Sequence, residues 1–488
     1  MIAPTTTRDS GEAGLVNRVI GQWWRLRIDL AIVLSAVAYG APVGAGDWRI
    51  TPGLTVGEVY TDNVSLAPSE EKRSEFVTTV IPSLAVRGLG ARIALGFNYN
   101  LELLYRARDE RTDTNHQLAG DARTEVVRDW LYLDATTTFS QANLVDITSG
   151  ADNITDTPDR TDVLTYGLKP FISHRFTDLA NVDIGYAFQG VDNQRSFDSI
   201  SQNVTAQIRS GTRFLRLPWV VTYDWQKIDP SEGEQAQFQR IQGRLGYRLT
   251  DQLGVFGAGG YEDNDFTTTR SETSGFTWQA GAFWQPSRRT SLEGSYGERP
   301  FGGTYAIDFS YRQRRLVWQA GYDEDFTTVT QAELERQFFL IEQPVTVQPG
   351  LAQVPLPSLT QDTVFLRKRF ESSLAYVLRR GSIGIALFDE RREFELTGEE
   401  QTVLGGEAAL QRQLSRRMGL TLSGLAARTH FPEDGHEDIL WSITARLARQ
   451  FGRNVAGAVE YRRQERESDL PTNDYTENRV TLGLQVAF

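Results

Sequence analysis

Apolar and polar residues alternate along most of this chain, beginning at Trp48. The clearest stretch covers residues 93–105, where every odd-numbered position holds Ile, Leu, Phe or Tyr. Successive side chains of a β-strand point to opposite faces of the sheet, so each such stretch predicts a strand with one apolar and one polar face. In the stretch 219–226 the apolar face carries two tryptophans and a tyrosine, which is typical of strands whose ends meet a membrane interface.

Short turns and longer polar connections alternate between the predicted strands. Short turns are expected at 128–129, 177–178, 211–213 and 250–251, whereas longer loops are expected at 106–116 and 142–160, among others. We count about 22 strands, with a range of 18 to 22. The fold class predicted is therefore all-β: a transmembrane antiparallel up-and-down β-barrel with short periplasmic turns and longer extracellular loops.

A soluble β-sandwich would also give strands with one apolar face. A sandwich needs only about 100 residues, so this chain would have to contain several of them, separated by linkers. No Pro/Gly/Ser-rich linker interrupts the meander. Closing one sheet on itself removes its edges and pairs every backbone group, which spanning lipid requires. The pattern thus favours a single barrel.

Composition narrows the possible classes of protein. The 488 residues carry a net charge of -12, which argues against general nucleic-acid binding. The mean hydropathy is -0.38, and outside the N-terminus no run of 18 apolar residues occurs, so helical membrane spans are not expected. The chain contains no cysteine, which excludes disulfides, thiolate metal ligands and thiol nucleophiles.

The N-terminal residues predict a secretory signal peptide. Arg18, Arg25 and Arg27 precede a short apolar core at 30–38, and small residues follow up to Ala45. We expect residues 1–45 to be the signal, with cleavage after Ala45 or alternatively after Ala38, and 46–488 to form one barrel domain. The first strand would then start almost at once, with no room for a plug domain, which disfavours a TonB-dependent receptor. The localisation expected is the bacterial cell outer membrane.

The last eleven residues form a predicted strand that ends on an aromatic side chain. This segment resembles the C-terminal β-signal of outer-membrane barrels, with a polar residue, a glycine and two apolar residues at Thr481, Gly483, Val486 and Phe488. We expect this strand to close the barrel against the strand at 48–59. The partners implied are the barrel-assembly machinery during insertion and outer-membrane lipid afterwards.

Four short motifs carry a resemblance to a known family. They are residues 60–64 (YTDNV), 213–219 (RFLRLPW), 245–250 (LGYRLT) and 260–266 (GYEDNDF). They resemble outer-membrane β-barrels associated with PEP-CTERM/exosortase systems, which are grouped with β-barrel porins and occur with exopolysaccharide genes. The resemblance implies a channel or scaffold in exopolysaccharide or surface-polymer export, with polysaccharide-export components as partners. It supplies no catalytic residues.

Charged residues on the polar faces are candidate pore-lining groups. They are Arg240, Arg244, Arg248, Asp224, Asp308, Arg312 and Arg446. Such side chains tune the selectivity of channels, but opposite charges can also pair inside a plugged, structural lumen. The longest connection, about 327–362, contains an apolar segment at 338–344. Loops of this length are usually functional or disordered, and we expect this one to fold over or into the mouth as a constriction.

Few residues indicate a cation-binding or catalytic site. The acidic motif 260–266 has an echo at 321–326, but neither has the ligand spacing of an EF-hand, and both fit solvated strand ends. His430, with Asp434 and His436 nearby, is the one arrangement that could serve a barrel protease or acyl transferase. We therefore expect no enzyme, no metal and no cofactor. A general diffusion porin for small solutes is the alternative function, and an outer-membrane enzyme ranks third.

Overall fold

The computed structural model describes residues 46–144, 150–342, 362–431 and 435–488, with side chains to residue 336 in the helix that ends the second range. The predicted signal peptide, residues 1–45, lies outside the described residues. The strands are β1 (Asp47–Thr61), β2 (Glu75–Leu89), β3 (Ile93–Arg106), β4 (Arg111–Val127), β5 (Leu131–Asn143), β6 (Arg160–Phe176), β7 (Ala180–Asn193), β8 (Ser199–Ser210), β9 (Trp219–Pro230), β10 (Ala236–Arg248), β11 (Leu253–Asp265), β12 (Gly275–Ser287), β13 (Thr290–Arg299), β14 (Gly302–Gln313), β15 (Leu316–Thr328), β16 (Val364–Leu378), β17 (Gly381–Phe394), β18 (Glu400–Ser415), β19 (Met418–His430), β20 (Glu437–Gln450), β21 (Val455–Ser468) and β22 (Tyr475–Ala487).

Each strand pairs antiparallel with its neighbours in the chain, and the sheet closes between its first and last strands. In this seam Gly53 of β1 is paired with Ala487 of β22, and the pairing continues to Thr61 opposite Arg479. The result is a closed 22-stranded barrel, which confirms the predicted fold class, the strand count and the closing role of the last strand. One α-helix, α1 (Val329–Glu342), lies between β15 and β16.

The two faces of each strand have the environments that the alternation predicted. On β12, Phe276 and Trp284 are 70% and 47% exposed, whereas Thr277 on the other face is buried. Side chains of the polar face also reach strands that are not their neighbours: Arg244 of β10 lies 2.7 Å from Glu293 of β13. Such contacts are possible only on the concave side of the sheet. The polar face therefore lines the lumen and the apolar face meets lipid.

Connections of different length lie at the two ends of the barrel. The start of β1 and the end of β22 share one end with short turns such as 177–179 and 288–289, which we assign to the periplasm. The other end carries the connections 62–74, 144–159, 266–274 and 329–363. In the described part of the chain, no helix is long and apolar enough to cross a membrane.

Two connections differ from those predicted. The expected loop 106–116 is a turn of residues 107–110, because β4 already begins at Arg111. Its polar residues, Thr112 to Asn115, extend the strand at the extracellular end, where both faces meet water and the alternation fades. The short turn expected at 211–213 runs to residue 218 and contains a 3-10 turn, Thr212–Phe214.

Candidate functional site

Helix α1 crosses the lumen at the extracellular end of the barrel. It begins at Val329, directly after β15, and its buried apolar side chains enter a cluster supplied by distant strands. The cluster consists of Val329, Ala332 and Leu334 of the helix, Ala142 of β5, Val163 of β6, Val191 of β7, Phe197, and Phe365 of β16. In a ring of 22 strands, β5 to β7 lie roughly opposite β16. The helix therefore joins opposite walls of the mouth.

The first turn of the helix is capped from both sides of the long connection. The backbone N–H and the hydroxyl of Thr330 donate to the carboxylate of Asp362, at 2.9 and 2.6 Å. The backbone N–H of Gln331 donates to Thr328 Oγ1 at 3.2 Å. These bonds satisfy N–H groups that a helix leaves without partners. Because Asp362 stands just before β16, the two ends of the connection are held together. Burial raises the pKa of Asp362, and the bonds from Thr330 act in the opposite direction.

Polar contacts fix the helix to the walls that it crosses. Gln226 Nε2 of β9 donates to Gln331 Oε1 at 2.8 Å. Arg367 of β16 forms an ion pair with Glu335 at 2.9 Å. Gln226 and Arg367 both lie on the lumen-facing side of their strands. The apolar cluster and these two contacts together determine where α1 lies, with residues 329–336 in the mouth, whereas constriction of the pore by the long connection stays a prediction. Residues 343–361 lie outside the described residues.

The connection between β5 and β6 is a second segment inside the barrel. Its residues 150–159 run along the inner wall, and Ile154 packs against Val59, Val77 and Leu104 of the first three strands. Arg106 of β3 donates to the carbonyl oxygens of Ile154 and Thr155, at 2.8 and 3.3 Å. We call residues 150–159 the inner loop. It covers the lumen-facing surface of β1 to β3, strands that the cluster around α1 does not include.

Asp152 ties the tip of the inner loop to the far side of the seam. Its carboxylate accepts hydrogen bonds from Arg462 of β21, at 2.9 Å, and from Arg479 of β22. Enclosure within the barrel raises the pKa of Asp152, but the two guanidinium groups outweigh this effect and lower it to about 2. The carboxylate is thus charged throughout the physiological range, and the loop is held by a permanent ionic contact.

The predicted arginine ladder on β10 lies in the lumen, and its three members have different surroundings. Arg240 Nε is 3.2 Å from Glu262. Arg244 pairs with Glu293, and its guanidinium lies 3.5 Å above the ring of Phe256. Arg248 lies over an aromatic ring and forms no ion pair with any described residue.

The other predicted lumen charges fall into two groups. Asp224 is in register with Arg240, and Asp308 is in register with Glu293, so these residues and Arg312 share the wall of β9 to β14 with the ladder. Arg446 lies apart on β20, where it is 3.4 Å from Glu460. Charge pairing, left open by the sequence, therefore holds for some members, whereas their effect on selectivity stays a prediction.

The sequence did not single out the residues that hold the internal segments. Arg106, Glu335, Arg367 and Arg462 stand at polar-face or helix positions, but nothing in their spacing marks a partner. Asp152 and Arg479 are 327 positions apart in the chain. Only the closed ring brings such residues together. A run of Asp and Asn within the connection at 142–160 was the one available signal.

The remaining predicted sites have simpler environments. Thr481 and Gly483 are in register with Val59 and Gly57 at the seam, and Phe488 is 69% exposed at the periplasmic rim. Val486 pairs with Leu54, so all four proposed β-signal residues lie at the closing edge of β22. His436 stacks on Phe431 with ring centroids 4.4 Å apart, His430 is exposed, and Asp434 lies outside the described residues. In the described ranges no group of three or more His, Asp or Glu could hold a metal ion.

Comparisons with known proteins agree with this architecture. The family model described as "Putative beta-barrel porin 2" matches residues 403–488, which run from β18 to β22. The FrpB iron transporter from Neisseria meningitidis is similar in structure, with 9% identity, a TM-score of 0.51 and coverage of 90% of this chain and 82% of that one. The ferric-catecholate import receptor Fiu from E. coli K12 has 12% identity, a TM-score of 0.49 and coverage of 92% and 82%.

A third structure matches more loosely. The loop L8 deletion mutant of OmpT, an outer-membrane protein of Vibrio cholerae, has 10% identity, a TM-score of 0.33 and coverage of 91% of this chain and 100% of that one. No curated protein matches the sequence. Sequence identities this low show a shared fold, but they do not show which molecule the barrel transports. The protein is an outer-membrane β-barrel of Gram-negative bacteria, and its last five strands resemble a β-barrel porin family.

Proposed function

We propose that this barrel is a non-enzymatic, internally narrowed conduit of the outer membrane that serves the export of exopolysaccharide or another surface polymer. The observation that carries the proposal is the position of α1, whose buried side chains join β5, β6 and β7 to β16 across the mouth. A pore for unrestricted diffusion does not need a helix that links its opposite walls. A conduit for a specific polymer does need a closure when no polymer is present.

The attachments of the internal segments support a closure that can be displaced. The inner loop is held at its tip by ionic hydrogen bonds from Arg462 and Arg479, and α1 is held partly by Glu335 and Arg367. Both sets of contacts lie beside lumen water, where ion pairs are worth less than in a dry core. Neither segment contributes a strand to the barrel. Both can therefore move without opening the sheet.

The charges of the lumen support a cargo with little net charge. Arginines and carboxylates alternate on the wall of β10 to β15, where Arg244 pairs with Glu293 and Arg299 with both Glu262 and Asp325. Paired charges attract neither anions nor cations strongly. The four short motifs add support for an exopolysaccharide, because the barrels that they resemble occur with exopolysaccharide genes.

Gene deletion in a polysaccharide-producing host tests the proposal. We expect extracellular polysaccharide to be lost, to return with the wild-type gene, and to return also with His430→Ala, which removes the side chain that an enzyme would need. Uptake of small solutes should not change. Normal extracellular polysaccharide in the deletion strain would contradict the proposal. If the His430→Ala gene failed to restore the polysaccharide, an enzyme would be indicated.

A general diffusion porin is the second candidate function. The match of the last five strands to a porin-type family favours it, as do Arg248 and Arg312, which form no ion pair within the described ranges. This function predicts slower uptake of small solutes in the deletion strain, with polysaccharide unchanged. Deleting residues 343–359 adds a direct measure of the long connection, since an unchanged single-channel conductance would show that this segment does not constrict the pore.

A further inference from the structure

Two cavities adjoin each other between the inner loop and the wall of the barrel. The inner cavity has a volume of about 450 Å³, and its lining includes Glu102, Gln117, Gln141, Asn143 and Arg336. The outer cavity has a volume of about 340 Å³, and its lining includes Arg106, Arg111, Thr112, Asn115 and Thr157. Asn153 and Arg160 line both cavities. These two residues therefore lie where the two cavities meet.

The junction between the cavities includes side chains that rotate easily. Arg160 Nη2 donates to Asn153 Oδ1, and Asn153 Nδ2 donates to Glu102 and, at 3.3 Å, to Gln141. Because these two residues line both cavities, we expect a change of rotamer at Asn153 or Arg160 to widen the connection between them.

The charges around the cavities compensate one another. Arg106 pairs with Asp113 at 2.7 Å, Arg111 with Asp156 at 2.8 Å and Arg336 with Glu333 at 2.8 Å. The groups that remain to meet a solute are mainly amides and hydroxyls, which both donate and accept hydrogen bonds. The volume of the inner cavity falls in the range of pockets for small molecules. This combination suits a neutral molecule rich in hydroxyl groups.

We propose that the solute path through the extracellular mouth runs through these two cavities, with the Asn153–Arg160 pair as its gate, and that the inner cavity is a subsite for a neutral saccharide unit. The path itself rests on the geometry of the cavities alone. The saccharide as ligand deepens the proposed role in polymer export and rests on it.

Cysteine modification in planar bilayers tests the path, because the chain contains no native cysteine. The full-length barrel carries Gln117→Cys in the inner cavity or Asn115→Cys in the outer one. Ser423→Cys is the control, since Ser423 faces the lumen on β19, away from both cavities. A bulky methanethiosulfonate reagent should lower the conductance roughly twofold or more at residues 117 and 115, and much less at 423.

The opposite order of effects, or a wild-type barrel without measurable conductance, would overturn the path. Addition of maltotriose tests the ligand in the same bilayers. The sugar should reduce the wild-type current, and Gln117→Leu should weaken this block about 2- to 10-fold, as expected for one lost hydrogen bond. The control Ser423→Leu should keep the wild-type block.

Equal block in the wild type and Gln117→Leu, or no block of the wild type, would overturn the saccharide subsite. These outcomes are separate from the test of polymer export, which is read from secreted polysaccharide in cells. A barrel can fail the bilayer test with maltotriose and still restore secretion. If maltotriose blocks the current but deletion of the gene leaves secretion normal, the subsite is supported and the proposed role in export is contradicted.

Discussion

The carboxylate of Asp152 lies 2.9 Å from Nη1 of Arg462, although the two residues are 310 positions apart in the chain. Asp152 also accepts a hydrogen bond from Arg479 on the neighbouring strand. One side chain of the inner loop therefore reaches across the seam that closes the barrel. The position of this loop depends on a contact that exists only in the closed ring.

Asp152→Asn should release the inner loop. The substitution removes the charge that faces Arg462 and Arg479, and we expect attachment of the loop to weaken by about 1 kcal/mol, because the side chain of Asp152 is 37% exposed to lumen water. Single-channel conductance should rise, with more frequent transitions between levels. Asp134→Asn is the matched control, since Asp134 pairs with Arg123 on the wall and holds no loop. Equal effects of the two substitutions would contradict this role.

The contact of Asp152 also predicts how conductance depends on pH. Its pKa is about 2 in the folded barrel, below the value of roughly 3.9 for a free aspartate. Stabilisation by a carboxylate with a lowered pKa is fully present above the free value and is lost as the pH falls through the folded value. Conductance should therefore stay constant from pH 8 to pH 5 and rise below about pH 4.

Asp152→Asn should abolish the part of the acid response that comes from this residue. Asp156 contributes in the same direction, because burial raises its pKa but the hydrogen bond from Arg111 and the nearby guanidinium groups lower it overall. Bilayer recordings between pH 8 and pH 3 measure both effects. A transition between pH 5 and pH 7 would show that another group controls the loop.

Leu334→Ala should detach helix α1 from the wall without unfolding the barrel. Leu334 is fully buried in the cluster that spans the mouth, and a Leu to Ala change at such a site costs about 2–5 kcal/mol. The strands keep their pairing, so the loss should appear as higher conductance rather than as loss of the heat-modifiable folded band on gels. Leu404→Ala, at an outward position that is 52% exposed, should leave conductance at the wild-type level. A normal conductance in Leu334→Ala would rule out α1 as the closure.

Phe488→Ala should impair assembly more than transport. The sequence predicts that Phe488 belongs to the signal read during insertion, and in the folded barrel its side chain is 69% exposed and contributes little burial. We expect less folded barrel in the outer membrane, with normal conductance of the molecules that insert. Phe276→Ala is a close control, because Phe276 is 70% exposed on the same outer face. Equal amounts of folded barrel for both variants would contradict the assembly role.

Arg248→Gln should shift ion selectivity toward cations, because it removes a positive charge from the lumen wall. Arg248 forms no ion pair with the residues that the structure describes, whereas the charge of Arg244 is offset by Glu293 at 2.7 Å. Arg244→Gln removes the same charge and leaves Glu293 without this partner, so we expect a shift in the same direction there, and the variant serves as a comparison for barrel integrity. Reversal potentials in a salt gradient measure the shift. No change in Arg248→Gln would place this residue outside the ion path.

The sequence by itself determined the barrel. The alternation of residues 93–105, the spacing of turns and the apolar face of the last strand predict 22 strands and their closure, because each depends on contacts with neighbours in the chain and on the two environments of a strand. The same alternation places Arg240, Asp224 and Asp308 on the polar face of their strands. It failed at residues 111–116, where a strand extends into water and its outer face is no longer selected for apolar side chains.

Only the tertiary structure decided what fills the lumen. The position of α1 depends on a cluster that its buried side chains form with residues of β5, β6, β7 and β16, and the position of the inner loop depends on Asp152 meeting Arg462 and Arg479. These partners are separated by up to 327 residues and share no local period. A sequence pattern can predict which strands pair, because paired strands are neighbours in the chain. Contacts across the lumen depend instead on the diameter and register of the whole ring.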